Sequence, residues 1–87
     1  MQELSLESQK NDQNYRRVLD KALLVYGQIF GNYQVSKVVY QATDRLNYYI
    51  TFVTERGRKY IVYAQMDPSG IVDIVNFEEV IESAEPT

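Results

Sequence analysis

The chain has 87 residues, of which 45% are hydrophobic, 13% aromatic and 24% charged, and its net charge at pH 7 is −3. This length is too short for two ordinary domains and the composition is that of a globular protein, so we expect one domain around one thin core. The absence of Cys and His excludes disulfides, the usual zinc, copper and haem ligands, and catalytic systems that need a thiolate or an imidazole. We therefore expect no cofactor and no enzymatic activity.

Charge is distributed unevenly along the chain. Residues 31–60 carry five basic and two acidic side chains, whereas residues 61–87 carry six acidic side chains and no basic one. Such a dipole can steer a partner, or bring two copies together with opposite patches facing each other. The alternative is that the asymmetry has arisen by chance in a short chain and has no function. Surface charge contributes little to specificity in most cases.

The first residues are polar and show no periodicity, so we expect residues 1–11 to form a flexible N-terminal arm. They contain no apolar segment of the kind found in signal peptides, and no stretch of the chain approaches membrane-spanning length. The expected location is therefore the cytoplasm, and we expect no contact with a membrane.

One amphipathic helix follows the arm. Asn11 or Asp12 is a suitable N-cap, and Gly31 is a suitable residue to end the helix. Between them, apolar residues recur alternately three and four positions apart, which places them on one face of a helix. This stripe consists of Tyr15, Val18, Leu19, Ala22, Leu23, Tyr26, Ile29 and Phe30. We expect it to pack on a sheet, because a coiled coil needs a longer run of heptads.

After Gly31 the period of the apolar residues changes to two, and β-branched and aromatic residues become frequent. The pattern predicts four strands, at residues 33–42, 47–54, 59–66 and 71–77. The connections between them contain turn residues such as Gly57 and Pro68, and they are too short for parallel crossovers, so neighbouring strands are expected to be antiparallel. A short helix that includes Phe77, Val80 and Ile81 is a further possibility.

The predicted fold class is α+β, with an N-terminal amphipathic helix packed on a four-stranded antiparallel meander sheet in two layers. We expect residues 12–82 to form this single domain and residues 83–87 to form a flexible tail.

The alternation within the strands defines two sheet faces, and both are apolar. One carries Tyr48, Ile50, Phe52, Tyr60, Val62, Ala64 and Met66, and the other carries Tyr49, Thr51, Val53, Ile61, Tyr63 and Gln65. The pattern does not decide which face the helix covers. When one face of a sheet is open to water, the residues on that face are normally polar. The apolar residues of the second face therefore indicate an association surface. We predict an interaction surface of Tyr49, Val53, Ile61 and Tyr63, with Arg56 and Arg58 at its rim.

Other kinds of site have weaker support. Eight Tyr and three Phe could stack on bases beside the arginines, but the sequence pI of about 4.8 argues against nucleic acid, and strands favour aromatic residues for packing. Glu78, Glu79, Glu82 and Glu85 are expected to solubilise the C-terminal segment, since carboxyl pairs with perturbed pKa values need burial. The segment 67–70 lacks the further ligands of a calcium loop, and the glycines do not have phosphate-binding spacing. We expect neither a metal site nor a small-molecule substrate.

The layout of one helix and a meander, with NYYITFVTERGRKYIVYAQ as a long central hairpin and VNFEEV near the end, resembles that of the cystatins, which inhibit cysteine proteases. The resemblance covers residues 15–80 and implies a cystatin-like fold. The first hairpin turn reads YQATDRL, without the cystatin Gln-x-Val-x-Gly motif, and the Pro-Trp loop is also missing.

A second resemblance is to the opening of the cyanobacterial element-excision controlling factor family, which consists of small α+β proteins without an evident catalytic site. The residues that are similar to it are NYRRVLDKALLVYGQIF followed by DRLNYYI.

The sequence thus leaves three hypotheses on function. The first is a small non-enzymatic protein-interaction or regulatory module, associating with a protein partner or with itself as a homodimer. The second is a cystatin-like cysteine protease inhibitor. The third is a protein that binds single-stranded nucleic acid through sheet tyrosines and arginines, which the acidic pI disfavours.

Overall fold

The computed structural model of the chain describes residues 1–81. The elements in chain order are β1 (Gln2–Glu3), α1 (Leu6–Asn11), α2 (Gln13–Phe30), β2 (Tyr33–Ala42), β3 (Leu46–Thr54), β4 (Lys59–Met66) and β5 (Val72–Val80). The five strands form one antiparallel sheet in the order β1-β2-β3-β4-β5. The predicted α+β layout, a helix on an antiparallel sheet, is confirmed.

The ends of α2 follow from its capping residues. The side chain of Asp12 accepts hydrogen bonds from the backbone N–H groups of Asn14 and Tyr15, at 2.9 and 3.1 Å, so it satisfies two free donors of the first turn. Gly31 ends the helix with a φ of 62°, a conformation that glycine adopts at low cost. Both predicted ends are thus confirmed. Neither helix among residues 1–81 is long and apolar enough to cross a membrane.

α2 lies on one face of the sheet and packs against β3, β4 and β5. The buried core on this face comprises Tyr15, Val18, Ala22 and Phe30 from the helix and Val38, Tyr48, Ile50, Phe52, Tyr60, Val62, Ala64 and Met66 from the sheet. The helix therefore covers the first of the two faces that the sequence defined, and the face that carries Tyr49 and Tyr63 lies on the other side.

Ile29 does not belong to the buried stripe, contrary to the sequence prediction, because its side chain is 56% exposed. At the C-terminal end of α2, the side that meets the sheet carries Tyr26 and Phe30. The ring of Tyr26 stacks on Phe77 at 4.0 Å between centroids, and that of Phe30 stacks on Phe52 at 4.4 Å. These aromatic contacts turn Ile29 toward solvent.

The N-terminal segment has more structure than the sequence predicts. We expected residues 1–11 to form a flexible arm and the sheet to have four strands. Instead, β1 pairs with β2 as a fifth strand, and α1 follows with Ser5 as its N-cap. Leu4 is buried at 9% exposure, and its backbone N–H donates to the carbonyl of Val38 at 2.7 Å. A strand of two residues is too short to show alternation, and the free edge of β2 supplies its hydrogen bonds.

The last strand is longer than predicted. β5 continues beyond Phe77 to Val80, so Phe77 and Val80 are in a strand and not in the short helix considered above. β5 also contains a bulge. Tyr63 pairs with Asn76, whereas the next residue, Ala64, pairs with Ile74, so the pairing skips one residue of β5. The predicted domain boundary at residue 82 and the predicted tail at residues 83–87 lie outside the described residues.

Candidate interaction surface

We call the sheet face opposite α2 the open face. Its positions follow from the register of the strands and form four rows across β2, β3, β4 and β5. In order along the strands, the rows are Gln41-Asn47-Gln65-Asp73, Val39-Tyr49-Tyr63-Asn76, Lys37-Thr51-Ile61-Glu78 and Gln34-Val53-Lys59-Val80. The four central positions of this grid hold Tyr49, Tyr63, Thr51 and Ile61, and polar or charged residues occupy most of its margin.

A stacked tyrosine pair forms the centre of the open face. Tyr49 and Tyr63 are direct cross-strand neighbours, with ring centroids 4.4 Å apart and ring planes 6° from parallel. Such a pair contributes about 0.5–1.5 kcal/mol beyond the area that it buries. Burial, followed by a hydrogen bond with the Tyr63 hydroxyl, raises the pKa of Tyr49. Both rings are therefore held in place on the face and remain partly accessible.

A buried asparagine supports the outer end of this pair. Asn47 is only 6% exposed, although it lies on the open face. The hydroxyl of Tyr63 donates to its Oδ1 atom at 3.0 Å, and Nε2 of Gln65 donates to the same atom at 2.8 Å. Nε2 of Gln65 also donates to the Tyr63 hydroxyl at 3.0 Å. These three polar side chains form a closed set of hydrogen bonds that fixes the position of the Tyr63 ring.

The same asparagine closes the turn between β2 and β3. Its Nδ2 atom donates to the carbonyls of Gln41 and Arg45, at 3.0 and 3.3 Å, and to Oγ1 of Thr43 at 3.2 Å. Sequence reasoning missed Asn47, because an Asn beside a turn is common and gives no sign of burial. Its role depends on Tyr63 and Gln65, which are distant in the chain.

The structure brings together four of the six residues predicted for the interaction surface. Tyr49, Val53, Ile61 and Tyr63 all lie on the open face, and each is partly buried. They span three successive rows of β3 and β4, so they form one continuous apolar strip through the middle of the sheet.

The two predicted rim arginines lie elsewhere. Arg56 and Arg58 are at the exposed end of the β3–β4 hairpin, and both line a depression on the helix side together with Phe30 and Tyr60. A hydrogen bond with Tyr60, and then the charge of Glu79, raise the pKa of Arg58. The charged margin of the open face is instead formed by residues such as Lys37 and Glu78.

A second apolar patch lies on the other side of the molecule. Leu24, Val25 and Ile29 of α2 are 79%, 49% and 56% exposed, and Ile71 is 59% exposed. Leu24 and Ile71 line the same shallow depression. These side chains are more exposed than those of the open face, but they have neither a stacked aromatic pair nor a supporting hydrogen-bond network.

Within residues 1–81, the open face offers hydrogen-bonding groups and apolar surface. No group of three or more acidic side chains in this part of the chain is arranged to hold a metal ion. The tyrosine hydroxyls and amides of the open face donate and accept hydrogen bonds, and its apolar strip can be covered by another surface.

The chain was compared with family models, with curated proteins and with solved structures, and none of the three comparisons finds a match. The resemblances to the cystatins and to the element-excision controlling factors therefore stay predictions.

Proposed function

We propose that this chain is a small non-enzymatic protein-interaction or regulatory module that binds a protein partner through its open face. The observation that carries the proposal is the stacked pair of Tyr49 and Tyr63 at the centre of a sheet face that neither helix of residues 1–81 covers. Tyrosine is among the residue types that contribute most to binding energy at protein interfaces.

The arrangement around the pair supports a protein as the partner. Val53 and Ile61 extend the apolar strip, while charged and amide side chains stand at the margin. An apolar centre inside a polar rim is the usual anatomy of a protein interface. The rings are also positioned before binding, by stacking and by the Asn47 network, which lowers the entropy that binding costs. The location that we propose for the module is the cytoplasm.

The test is a capture experiment with matched variants of the whole chain. Tyr63→Ser removes a ring from the centre of the open face, and Thr51→Arg places a long charged side chain beside it without removing an aromatic contact. Leu24→Ser removes an equally apolar side chain from the exposed patch on α2. Thermal unfolding of each variant establishes that it is folded at the temperature of the assay.

We expect the wild type and Leu24→Ser to retain the same protein, which can be a second copy of this chain, and both open-face variants to lose it. Retention of that protein by folded Tyr63→Ser and Thr51→Arg would overturn the proposal. Loss with Leu24→Ser alone would also overturn it, because the partner would then bind α2.

A further inference from the structure

The charged side chains of the open face are separated across the sheet. In the row that passes through its centre, Lys37 of β2 pairs with Thr51, Thr51 with Ile61, and Ile61 with Glu78 of β5. Lys37 and Glu78 are both exposed. The row therefore has a positive end and a negative end, with uncharged residues between them.

From this charge arrangement we infer that a second copy of the chain docks on the open face, with the two-fold axis parallel to the strands and between β3 and β4. The inference rests on the proposed function and names its partner. With such an axis, β2 of one copy lies opposite β5 of the other, and β3 lies opposite β4. Each row of one copy lies opposite the same row of the other. Lys37 of each copy then lies opposite Glu78 of the other, and Tyr49 lies opposite Tyr63. Each attractive charge pair occurs twice, as symmetry requires.

The charges also disfavour another face-to-face arrangement. A two-fold axis that runs across the strands through the same row places Lys37 opposite Lys37 and Glu78 opposite Glu78. Like charges that face each other are destabilising, so the charge pattern selects the axis parallel to the strands.

The remaining charged residues of the face are compatible with this arrangement. Asp73 of one copy lies opposite Gln41 of the other, so the amide can donate to the carboxylate. Lys59 lies opposite Val53, and Glu3, which pairs with Val39 from β1, lies one strand outside the overlap. No charged position lies directly opposite a like charge, and the two copies of Lys59 are diagonal neighbours across the axis in the last row of the face.

The size of the face limits the area that a dimer can bury. Four strands about 4.8 Å apart and four rows about 6.8 Å apart cover roughly 500 Å², so two copies would bury about 1,000 Å² in total, the lower limit for a specific interface. We expect a reversible dimer with a dissociation constant in the micromolar range, and a dissociation constant that rises with salt concentration.

The test uses charge reversal on the purified chain, with mass measured by light scattering over a range of concentrations. Lys37→Glu and Glu78→Lys each replace two attractive pairs by two repulsive ones, so each should raise the dissociation constant by about tenfold or more. An equimolar mixture of these two variants should form a heterodimer, because both pairs are then attractive again. The double variant should dimerise like the wild type. Asp20→Lys on the exposed side of α2 changes the charge equally and should have no such effect.

Three outcomes would overturn the inference: a wild type that remains monomeric at its highest soluble concentration, single variants no weaker than Asp20→Lys, or two single variants that do not pair when mixed. If one of these occurs while the capture experiment still loses a protein with Tyr63→Ser, the proposed function stands. A monomeric wild type then excludes the second copy as the partner, and the other two outcomes exclude the pairing of Lys37 with Glu78. If the purified dimer survives Tyr63→Ser and Thr51→Arg, the open face is not the dimer interface and the inference fails. The proposed function fails as well only if these two variants also retain the captured protein.

Discussion

Tyr63 and Asn47 are joined by a hydrogen bond of 3.0 Å that links the aromatic centre of the open face to the turn between β2 and β3. One side chain at the start of β3 thus holds a partly exposed ring and closes a turn. Because Asn47 also donates to two backbone carbonyls, its loss affects the fold as well as the candidate surface.

Asn47→Ala should therefore destabilise the chain by about 1–3 kcal/mol, since it removes the acceptor of the Tyr63 hydroxyl proton and the hydrogen bonds that the Asn47 amide donates to the turn. The matched control is Asn32→Ala, whose amide donates to Oε1 of Glu55 at 3.1 Å on the exposed surface and which should change stability by less than about 0.5 kcal/mol. Chemical denaturation measures both. Equal losses in the two variants would contradict the role given to Asn47.

The docking of the N-terminal segment can be tested at two leucines. Leu4 is 9% exposed and Leu6 is 72% exposed, so Leu4→Ala should lower the free energy of unfolding by about 2 kcal/mol and Leu6→Ala by less than about 0.5 kcal/mol. Urea denaturation with a common m-value gives both numbers. A negligible effect of Leu4→Ala would mean that β1 and α1 do not add to the stability of the sheet.

Two glycines should respond in opposite directions to replacement by alanine. Gly27 lies in α2, and a Cβ atom there would meet no other atom within 4 Å, so Gly27→Ala should stabilise the chain by about 0.5–1 kcal/mol. Gly57 has a φ of 84° in the β3–β4 turn, so Gly57→Ala should destabilise it by about 1 kcal/mol or more. Thermal unfolding should shift up for the first variant and down for the second. A shift of both in the same direction would contradict this assignment.

Alkaline pH should destabilise the core through two tyrosines. Burial raises the pKa of Tyr15 and of Tyr48 from 10.0 to about 12. The unfolded chain loses these phenolic protons first, so the stability that the two neutral phenols contribute is fully present below pH 10 and decreases as the pH rises from 10 toward 12.

The free energy of unfolding, measured by chemical denaturation across this pH range, should fall more steeply for the wild type than for a Tyr15→Phe, Tyr48→Phe double variant. Identical slopes for the two proteins would mean that these phenols are not the groups responsible.

The sequence predicts those features that depend on local pattern. The bounds of β2 and β4 agree with the predicted residues 33–42 and 59–66, because β-branched and aromatic residues fill these segments and turn residues flank them. The ends of α2 are equally local, since Asp12 and Gly31 act on adjacent backbone groups.

The features that the sequence does not predict depend on contacts between distant residues. β1 exists because β2 has a free edge, and Ile29 is exposed because Phe30 and Tyr26 meet other rings. Arg58 is a different case, since alternation places it on the same side of β4 as Tyr60, and this signal could have assigned it to the helix side.

The order of the strands in the sheet is their order in the chain, and this has a consequence for how the protein folds. From β3 onward, every strand pairs with the one that has just preceded it, so each hairpin can close a short loop at low entropic cost before the next strand arrives. During synthesis β3 and β4 can therefore assemble on β2 without waiting for a distant segment. β5 then completes the sheet, and with it the negative end of the row that begins at Lys37.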